Sequence, residues 1–449
     1  MRLTDIAKPL HGEILGPDVA FRGVATDTRR PMPGMLFIAL RGTRFDGHDY
    51  LAQAQAQGAA AALVGRPVEC DLPQLLVADT SLGLGRLAEW WRNRNFAGPL
   101  IGVTGSNGKT TVKEMIYSVL GGAPAVLKTA GNFNNDIGVP LTLLRLRPQH
   151  RFAVIEMGAN HAGEIAYCAG LAKPDIALIT NAGPAHLEGF GSVDGVAKAK
   201  GELVESLPEA GIALLNADDR FFSYWKEVAA SRRIVTFGRH ESSQVRLLSV
   251  APLEFANGRF QNKFVADVLG EILEIELPLA GRHNVSNALA AIAAAKALGV
   301  ENQQILAGLA NVSPFPGRLC PLAGKQGSWL LDDSYNANPA SFEAGLETLA
   351  ALSGEPWVIL GAFGELGAES QAWHARAGRA AKKRGVRRLF AVGGPCQAAV
   401  EAFGEGGRLF SSQAELSEAV ESLLHPQVRI LIKGSRSQHL EQTVEALKA

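Results

Sequence analysis

Cysteine is scarce in this chain: Cys70, Cys168, Cys320 and Cys396 are the only four in 449 residues, and none is spaced as CxxC. That excludes a zinc ribbon and a dithiol redox pair, and it fits a reducing cytosol. Long apolar runs are missing too. No run of about 18 apolar residues occurs, so no membrane span is expected. The first residues include Asp5 and hold no apolar signal core, so a cytoplasmic location is expected. Nor is there an excess of charge. Lys and Arg number 44, as do Asp and Glu, which leaves no bulk field to draw in nucleic acid or an anionic membrane. The basic cluster of Lys382-Lys-Arg and Arg387-Arg follows an alanine- and glycine-rich helix and reads as its solvated end.

What is abundant is apolar side chain, 47% of the residues. It can fill several cores, and the length suggests roughly two to four domains. Residues 101–113, IGVTGSNGKTTVK, are the most informative segment. An apolar run from 99 to 103 enters a glycine-containing turn, and an amphipathic stretch to Leu120 follows. Strand, loop and helix in that order suit a phosphate-binding loop, because glycines let backbone N–H groups close on phosphate oxygens and the helix N-terminus adds its dipole. Lys109 would reach the terminal phosphates, and the Thr110 hydroxyl would sit on Mg²⁺. The spacing departs from the common pattern, since Val103 stands where the first glycine falls, so Gly105 must supply the flexibility. The alternative is a Gly/Asn/Ser turn that merely precedes Lys-Thr. The motif indicates a nucleoside triphosphate and leaves the reaction open.

Residues 1 to about 80 form a first unit, with strand-like pieces near 23–26, 34–40 and 60–64, and an alanine-rich helix over 50–57. A helix over 81–96, capped by Ser81 or Thr80, is the expected connector. Nearly continuous apolar runs at 100–103, 152–155, 176–179, 212–215 and 234–237 alternate with helical segments. Such runs indicate a parallel sheet covered on both faces. Residues 243–279 switch to alternating β-type segments, an antiparallel edge, and a long alanine-rich helix occupies 284–298. After a linker at 313–318 the α/β rhythm returns, with strands at 357–360, 389–392 and 429–432.

Polar residues gather where strands end. Glu156 closes the run at 152–155, and His186 follows the end of 176–179. In a parallel sheet such ends open on one crevice, where a carboxylate and an imidazole could hold Mg²⁺ against phosphates. Lys200 lies in a helical run, where a lysine is ordinarily solvated. Asn132, Asn134 and Asn135 crowd one segment, a turn or a site for a polar substrate. Asp332-Asp333-Ser-Tyr-Asn-Ala-Asn-Pro339 reads as another strand-end loop, and Lys433-Gly-Ser-Arg436 follows the last strand. Two α/β units with such loops suggest a cleft closing on two substrates and shielding a reactive phosphorylated intermediate from water.

Taken together, these motifs resemble the Mur ligases, ATP-dependent amide-forming enzymes of peptidoglycan precursor synthesis. The resemblance runs from about residue 22 to about 442. It is carried by TGSNGKTTVKEM (104–115), GNFNNDIGVPLTLL (131–144), EMGANHAGEI (156–165), NAGPAHLEGFGS (181–192), GRHNVSNALAA (281–291), FPGR (315–318), DDSYNANPAS (332–341) and KGSRS (433–437). It is nearest to the branch that adds D-alanyl-D-alanine to UDP-N-acetylmuramoyl-tripeptide. The implied fold is α/β in three domains: a small UDP-binding domain at 1–81, a central P-loop ATPase domain with a parallel sheet at 82–313, and a C-terminal Rossmann-like domain at 314–449. The implied cofactors are ATP and Mg²⁺, and a monomer is expected.

The resemblance also assigns roles. Gly105, Ser106, Asn107, Gly108, Lys109, Thr110, Thr111, Asn284, Asn287, Arg318 and Asp333 would hold ATP. Lys109, Glu156, His186 and Lys200 would be catalytic. Thr110, Glu156 and His186 would bind magnesium, and Lys200, as a carbamate, would be a ligand to a second metal, which reverses the solvated reading of Lys200. Thr28, Arg29, Arg41, Asp46, Gly47, His48, Asn132, Asn134 and Asn135 would hold the UDP-sugar. Tyr335, Asn336 and Asn338 would face the acceptor dipeptide. Thr28 replaces the usual serine and keeps its hydroxyl. Ala362-Phe363-Gly364 stands where relatives commonly have Asp-Met-Leu. A ligase with another acceptor, of the diaminopimelate-adding or folylpolyglutamate type, and a nucleotide switch without ligation are the competing readings. Dependence of ATP turnover on both other substrates separates them.

Overall fold

The computed structural model describes residues 1–43, 45–184 and 187–449. They form two compact units. The first comprises residues 1–102, 123–159 and 163–175, and the second 103–122, 160–162 and 176–449. Among the described residues no helix is long and apolar enough to cross a membrane.

In the first unit a five-stranded sheet has the order Glu13–Leu15, Gln74–Leu76, Ala61–Val64, Leu36–Ile38, Val24–Ala25. Its first pair is antiparallel and the rest are parallel. The central strands are apolar on both faces, as a covered parallel sheet requires, and Phe37, Ala62 and Val64 pack with Met32, Leu51 and Ala54. The connector helix spans Thr80–Asn95, but its cap is Asp79, not Ser81 or Thr80. Asp79 has the extended backbone of an N-cap, and its carboxylate accepts the Leu82 N–H at 2.8 Å. The Thr80 hydroxyl is buried and donates to Ala39 O at 2.9 Å. Farther along, the strand Val126–Lys128 pairs in parallel with Phe152–Glu156.

The strand Leu100–Thr104 passes from the first unit into the second. There Ile176–Ile179, Ile212–Asn216, Arg233–Gly238 and Val245–Val250 run parallel, each beside the next. Arg259–Val268 and Glu271–Leu277 extend this sheet antiparallel, as the alternating pattern indicates. Their two-residue turn, Leu269-Gly270, has φ of 57° and 94°, the backbone that matches a hairpin's twist. The helix Arg282–Ala297 is buried almost throughout its length beyond the first turn, as expected for a helix apolar all round.

A six-stranded sheet completes the unit, in the order Cys320–Ala323, Trp329–Asp333, Val428–Lys433, Glu355–Gly361, Arg388–Val392, Gly407–Phe410. All pairs but the first are parallel. Phe342, Leu346, Ala377, Ala381, Ala399 and Phe403 bring three helices onto one face. Leu416, Val420, Val444 and Leu447 bring two onto the other. Val428–Lys433 therefore leads to the opposite face from both its neighbours, and its C-terminal end is a topological switch point, the usual ligand position in such sheets. Asp332 and Asp333 close the strand Trp329–Asp333 as buried residues. The strand-end loop expected there begins only at Ser334, because both carboxylates are held by partners described below.

Candidate functional site

The phosphate-loop segment folds as its glycines require. Gly105 has φ of 149° and Gly108, at the N-cap of the helix Lys109–Val119, has φ of 83°. A Cβ on Gly105 would overlap Thr180 Oγ1, and one on Gly108 would overlap Asn287 Oδ1. The loop is docked on the end of Ile176–Ile179. Ser106 N–H donates to Asn181 O at 3.0 Å and Asn107 N–H to Asn181 Oδ1 at 3.0 Å. Asn107 O accepts from Thr180 Oγ1 at 2.6 Å and from Asn181 Nδ2 at 3.1 Å. The helix has no side-chain cap, so its first turn presents N–H groups and a positive dipole end to an anion. Lys109 Nζ lies over the loop, donating to Gly105 O at 2.6 Å.

Beside the loop is a cavity of about 370 Å³. Seven of the residues expected to hold a nucleotide line it: Asn107, Gly108, Thr111, Asn284, Asn287, Arg318 and Asp333. Gly105, Ser106, Lys109 and Thr110 lie on the same loop and helix outside that lining. The buried amides form a chain, Asn287 Nδ2 to Asn284 Oδ1 at 3.0 Å and Asn284 Nδ2 to Ala280 O at 2.8 Å. On the far wall Asp333 meets Lys433 Nζ at 2.5 Å, and Nζ also donates to Asn336 O at 2.9 Å. Burial pushes the Asp333 carboxyl up and the Lys433 ammonium down, and each charge opposes the other's shift. Asp332 accepts from Gly317 N at 2.8 Å and from the Ser334 hydroxyl at 2.6 Å. It thereby fixes the turn that carries Arg318, whose guanidinium stacks over Tyr335 with Cζ 4.3 Å from the ring centroid.

Of the other polar lining residues, His283 and Asn181 were given no part from sequence, and Lys433 was marked only as following the last strand. Lys433 and His283 sit inside the quoted KGSRS and GRHNVSNALAA segments, and Asn181 opens NAGPAHLEGFGS, but no spacing rule marks them. Burial, with the Lys433 charge second, pushes the His283 imidazole down to about 4, so it is neutral at ordinary pH.

Lys200 is buried, 2% exposed, within the helix Val193–Glu205. This overturns the solvated reading drawn from its place in a helical run. Val196, Ala197, Leu203 and Val204, its neighbours at i±3 and i±4, are all buried, so Lys200 stands in the apolar stripe, and that spacing was the missed signal. Burial, then the charge of Lys109, push it down to about 7, with Glu202 opposing.

In the first unit Glu156 is also buried, and its Oε1 accepts from Asn134 Nδ2 at 2.9 Å. Its backbone N–H donates to Thr129 Oγ1 at 2.9 Å. Asn135 Oδ1 accepts the Gly138 N–H at 2.9 Å, and Asn132 is exposed. His186 lies outside the described residues. Thr28 Oγ1 donates to Gln53 Oε1 at 3.1 Å. Arg29 pairs with Asp27 at 2.8 Å and holds that carboxyl down at about 2. The Gly65 N–H donates to His48 Nε2 at 2.8 Å, so the ring carries its proton on Nδ1, which faces Asp46 Oδ1 at 2.5 Å. The His48 backbone N–H and then its ring hold the Asp46 carboxyl near 2. Gly47 packs against Leu40 O, where a Cβ would not fit, and Arg41 bridges to Asp46.

Of the residues expected to face an acceptor, Asn336 is exposed and Tyr335 lies under Arg318. Asn338 caps the helix Pro339–Ala350. Ala362 and Phe363 are buried, and Phe363 stacks on His374 with centroids 4.8 Å apart. His374 Nε2 accepts the Phe363 N–H at 3.0 Å. Aromatic packing thus holds this loop.

Three family models match the chain: Mur ligase family, catalytic domain, at residues 20–88; Mur ligase middle domain at 103–295; and Mur ligase, glutamate ligase domain, at 317–436. The UDP-N-acetylmuramoyl-tripeptide--D-alanyl-D-alanine ligase of Escherichia coli K12 is 45% identical over 449 residues, covering 100% of this chain and 97% of that protein. The Bacillus subtilis protein of that name is 35% identical over 99% of this chain and 97% of its own length. A crystal structure of MurF from Acinetobacter baumannii superposes with a TM-score of 0.91 at 36% identity, covering 98% and 97% of the two chains. MurF from Thermotoga maritima, in complex with ADP, gives 0.83 at 28% identity over 95% and 96%.

Proposed function

The chain belongs to the Mur ligase family, and from that premise we infer its reaction: it joins D-alanyl-D-alanine to UDP-N-acetylmuramoyl-tripeptide and converts ATP to ADP and phosphate. The observation that carries this reading is the cavity between the phosphate loop and the switch point of the last sheet, within a chain similar to such ligases over its whole length.

The chemistry divides into two displacements. The terminal carboxylate of the tripeptide attacks the γ-phosphorus of ATP, a P–O bond breaks, and ADP leaves. The resulting acyl phosphate is then attacked at carbon by the neutral amine of D-alanyl-D-alanine. The C–O bond to phosphate breaks, the amine proton goes to solvent, and an amide remains. Neither step needs a covalent link to the protein, so catalysis is positioning and charge stabilisation. Lys109 would leave Gly105 O for the transferring phosphoryl group, while the loop amides and the first turn of its helix bind the phosphates. Asn284, Asn287, Arg318 and Asp333 would hold the rest of the nucleotide.

A magnesium ion would neutralise charge on the phosphates. Thr110, Glu156 and His186 would hold it, a set of mostly hard oxygen donors of the kind Mg²⁺ takes, and a carbamate on Lys200 would be a ligand to a second ion. Lys200 suits carbamate formation because a neutral amine adds to CO₂, and burial with the Lys109 charge keeps this amine largely neutral near pH 8. The UDP-sugar would lie against Thr28, Arg29, Arg41, Asp46, Gly47, His48, Asn132, Asn134 and Asn135. Domain limits of 1–81, 82–313 and 314–449 are proposed on the same basis.

The test is phosphate release from ATP, with UDP-N-acetylmuramoyl-tripeptide and D-alanyl-D-alanine added singly and together. Release should require both, with a UDP-muramoyl pentapeptide detected by mass. Release without the dipeptide would overturn the acceptor. A second expectation concerns the loop. Gly108→Ala combines a left-handed backbone with an overlap on Asn287, so KM for ATP should rise about tenfold or more. A change below about twofold in steady-state kinetics would remove the glycine from the nucleotide site.

A further inference from the structure

One hydrogen bond ties the phosphate loop to a segment 231 residues away: Asn338 Nδ2 donates to Asn107 Oδ1 at 2.8 Å. Both ends of the Asn338 amide are in use. Its Oδ1 accepts the Ser341 N–H at 2.9 Å as the cap of the helix Pro339–Ala350, while Ser341 Oγ takes the Asn338 N–H at 3.1 Å. The cap fixes which way this amide faces, because a flip would place Nδ2 against the Ser341 N–H. Asn338 therefore always offers a donor to Asn107.

That constraint passes to Asn107. Its backbone is held by Thr180 and Asn181, and its Oδ1 is taken by Asn338. Among the described residues Asn107 Nδ2 makes no hydrogen bond, and the residue lines the cavity. A phosphate oxygen can accept from an amide NH₂ and is repelled by an amide carbonyl. Which of the two Asn107 shows the cavity is decided by Asn338.

We propose that Asn338 is a positioning residue for the phosphate loop: it orients the Asn107 amide so that Nδ2 becomes an added donor to the nucleotide phosphates. This rests on the nucleotide reading of the cavity. It assigns to Asn338 a task different from contact with the acceptor dipeptide. It also makes the seating of the helix Pro339–Ala350 a condition for a fully formed phosphate site.

Asn338→Asp is the informative substitution. A carboxylate still caps the helix, so the melting temperature should hold within about 2 °C. It can only accept, however, so Asn107 must turn Nδ2 toward it and show its carbonyl to the phosphates. ATP binding to the full-length protein with Mg²⁺, measured by calorimetry without the other two substrates, should weaken about tenfold. KM for D-alanyl-D-alanine should change less than about twofold. In an Asn107→Ala background the Asn338→Asp change should have almost no further effect on ATP binding. An undiminished effect in that background, or a rise confined to the dipeptide KM, would overturn the proposal and place Asn338 against the acceptor. If the unsubstituted protein binds no ATP, the nucleotide reading itself fails, an outcome distinct from tight binding that the substitutions leave unaltered.

Discussion

Lys109→Ala is expected to lower kcat by about a thousandfold or more while the protein stays folded. Alanine is at home in the first turn of a helix, and the hydrogen bond described for Nζ goes to Gly105 O within the same loop. The melting temperature should move by only a few degrees. The loss falls on the transferring phosphoryl group, where an ammonium meets negative charge as the γ-phosphate leaves ADP. ATP binding should weaken less than kcat falls, because the loop amides, the helix end and the far wall of the cavity remain. Single-turnover phosphate release separates the two quantities, and a variant within tenfold of normal would rule out the assigned role. A second effect follows from charge alone. Lys109 is one of the two causes that hold Lys200 down, so the substitution lets Lys200 keep its proton to higher pH.

Lys200→Ala is the second large effect, about a hundredfold or more in kcat, with partial recovery from formate, acetate or propionate. Alanine cannot be carbamylated, and the vacated space beside the site is what a short carboxylate would fill. The unsubstituted enzyme should respond to pH and bicarbonate together. Below about 7 the buried lysine is an ammonium and cannot add to CO₂, so activity should fall with acid and recover with added bicarbonate. Lys200→Ala should lose that response, and unchanged activity in the variant would remove the carbamate. Stability gives an independent check. The folded value near 7 lies below the ordinary 10.5, so between these limits the unfolded chain binds more protons. The cost of burying Lys200 is thus fully present below about 7 and vanishes as pH rises toward 10.5. Lys200→Met should therefore stabilise the chain most at pH 6 and least at pH 10, as read by denaturant midpoints.

The parts legible in sequence are those set by local chemistry. Fully apolar runs marked the parallel strands, alternation marked the hairpin ending in Leu269-Gly270, and the glycines of 105–108 marked a loop whose backbone needs them. The Asp79-Thr80-Ser81 run offers three cap residues in a row, and only the extended backbone at Asp79 decides among them. Lys200 was read as solvated from its helical run, before the resemblance reversed that, although its i±3 and i±4 neighbours are apolar. The Asp333–Lys433 pair could not be read at all. It exists because the last strand inserts between two earlier ones, and strand order is a property of the folded sheet. The link from Asn338 to Asn107 is hidden for the same reason, since no periodicity relates residues that far apart in the chain.

That insertion bears on how the protein is made. The cavity lining begins at Asn107 and ends at Lys433, on the strand that reaches the sheet last in chain order. A ribosome releases the phosphate loop long before the far wall. Until Lys433 has emerged the nascent chain has a phosphate loop with no opposing wall, so tight ATP retention marks a chain whose inserted strand is in place.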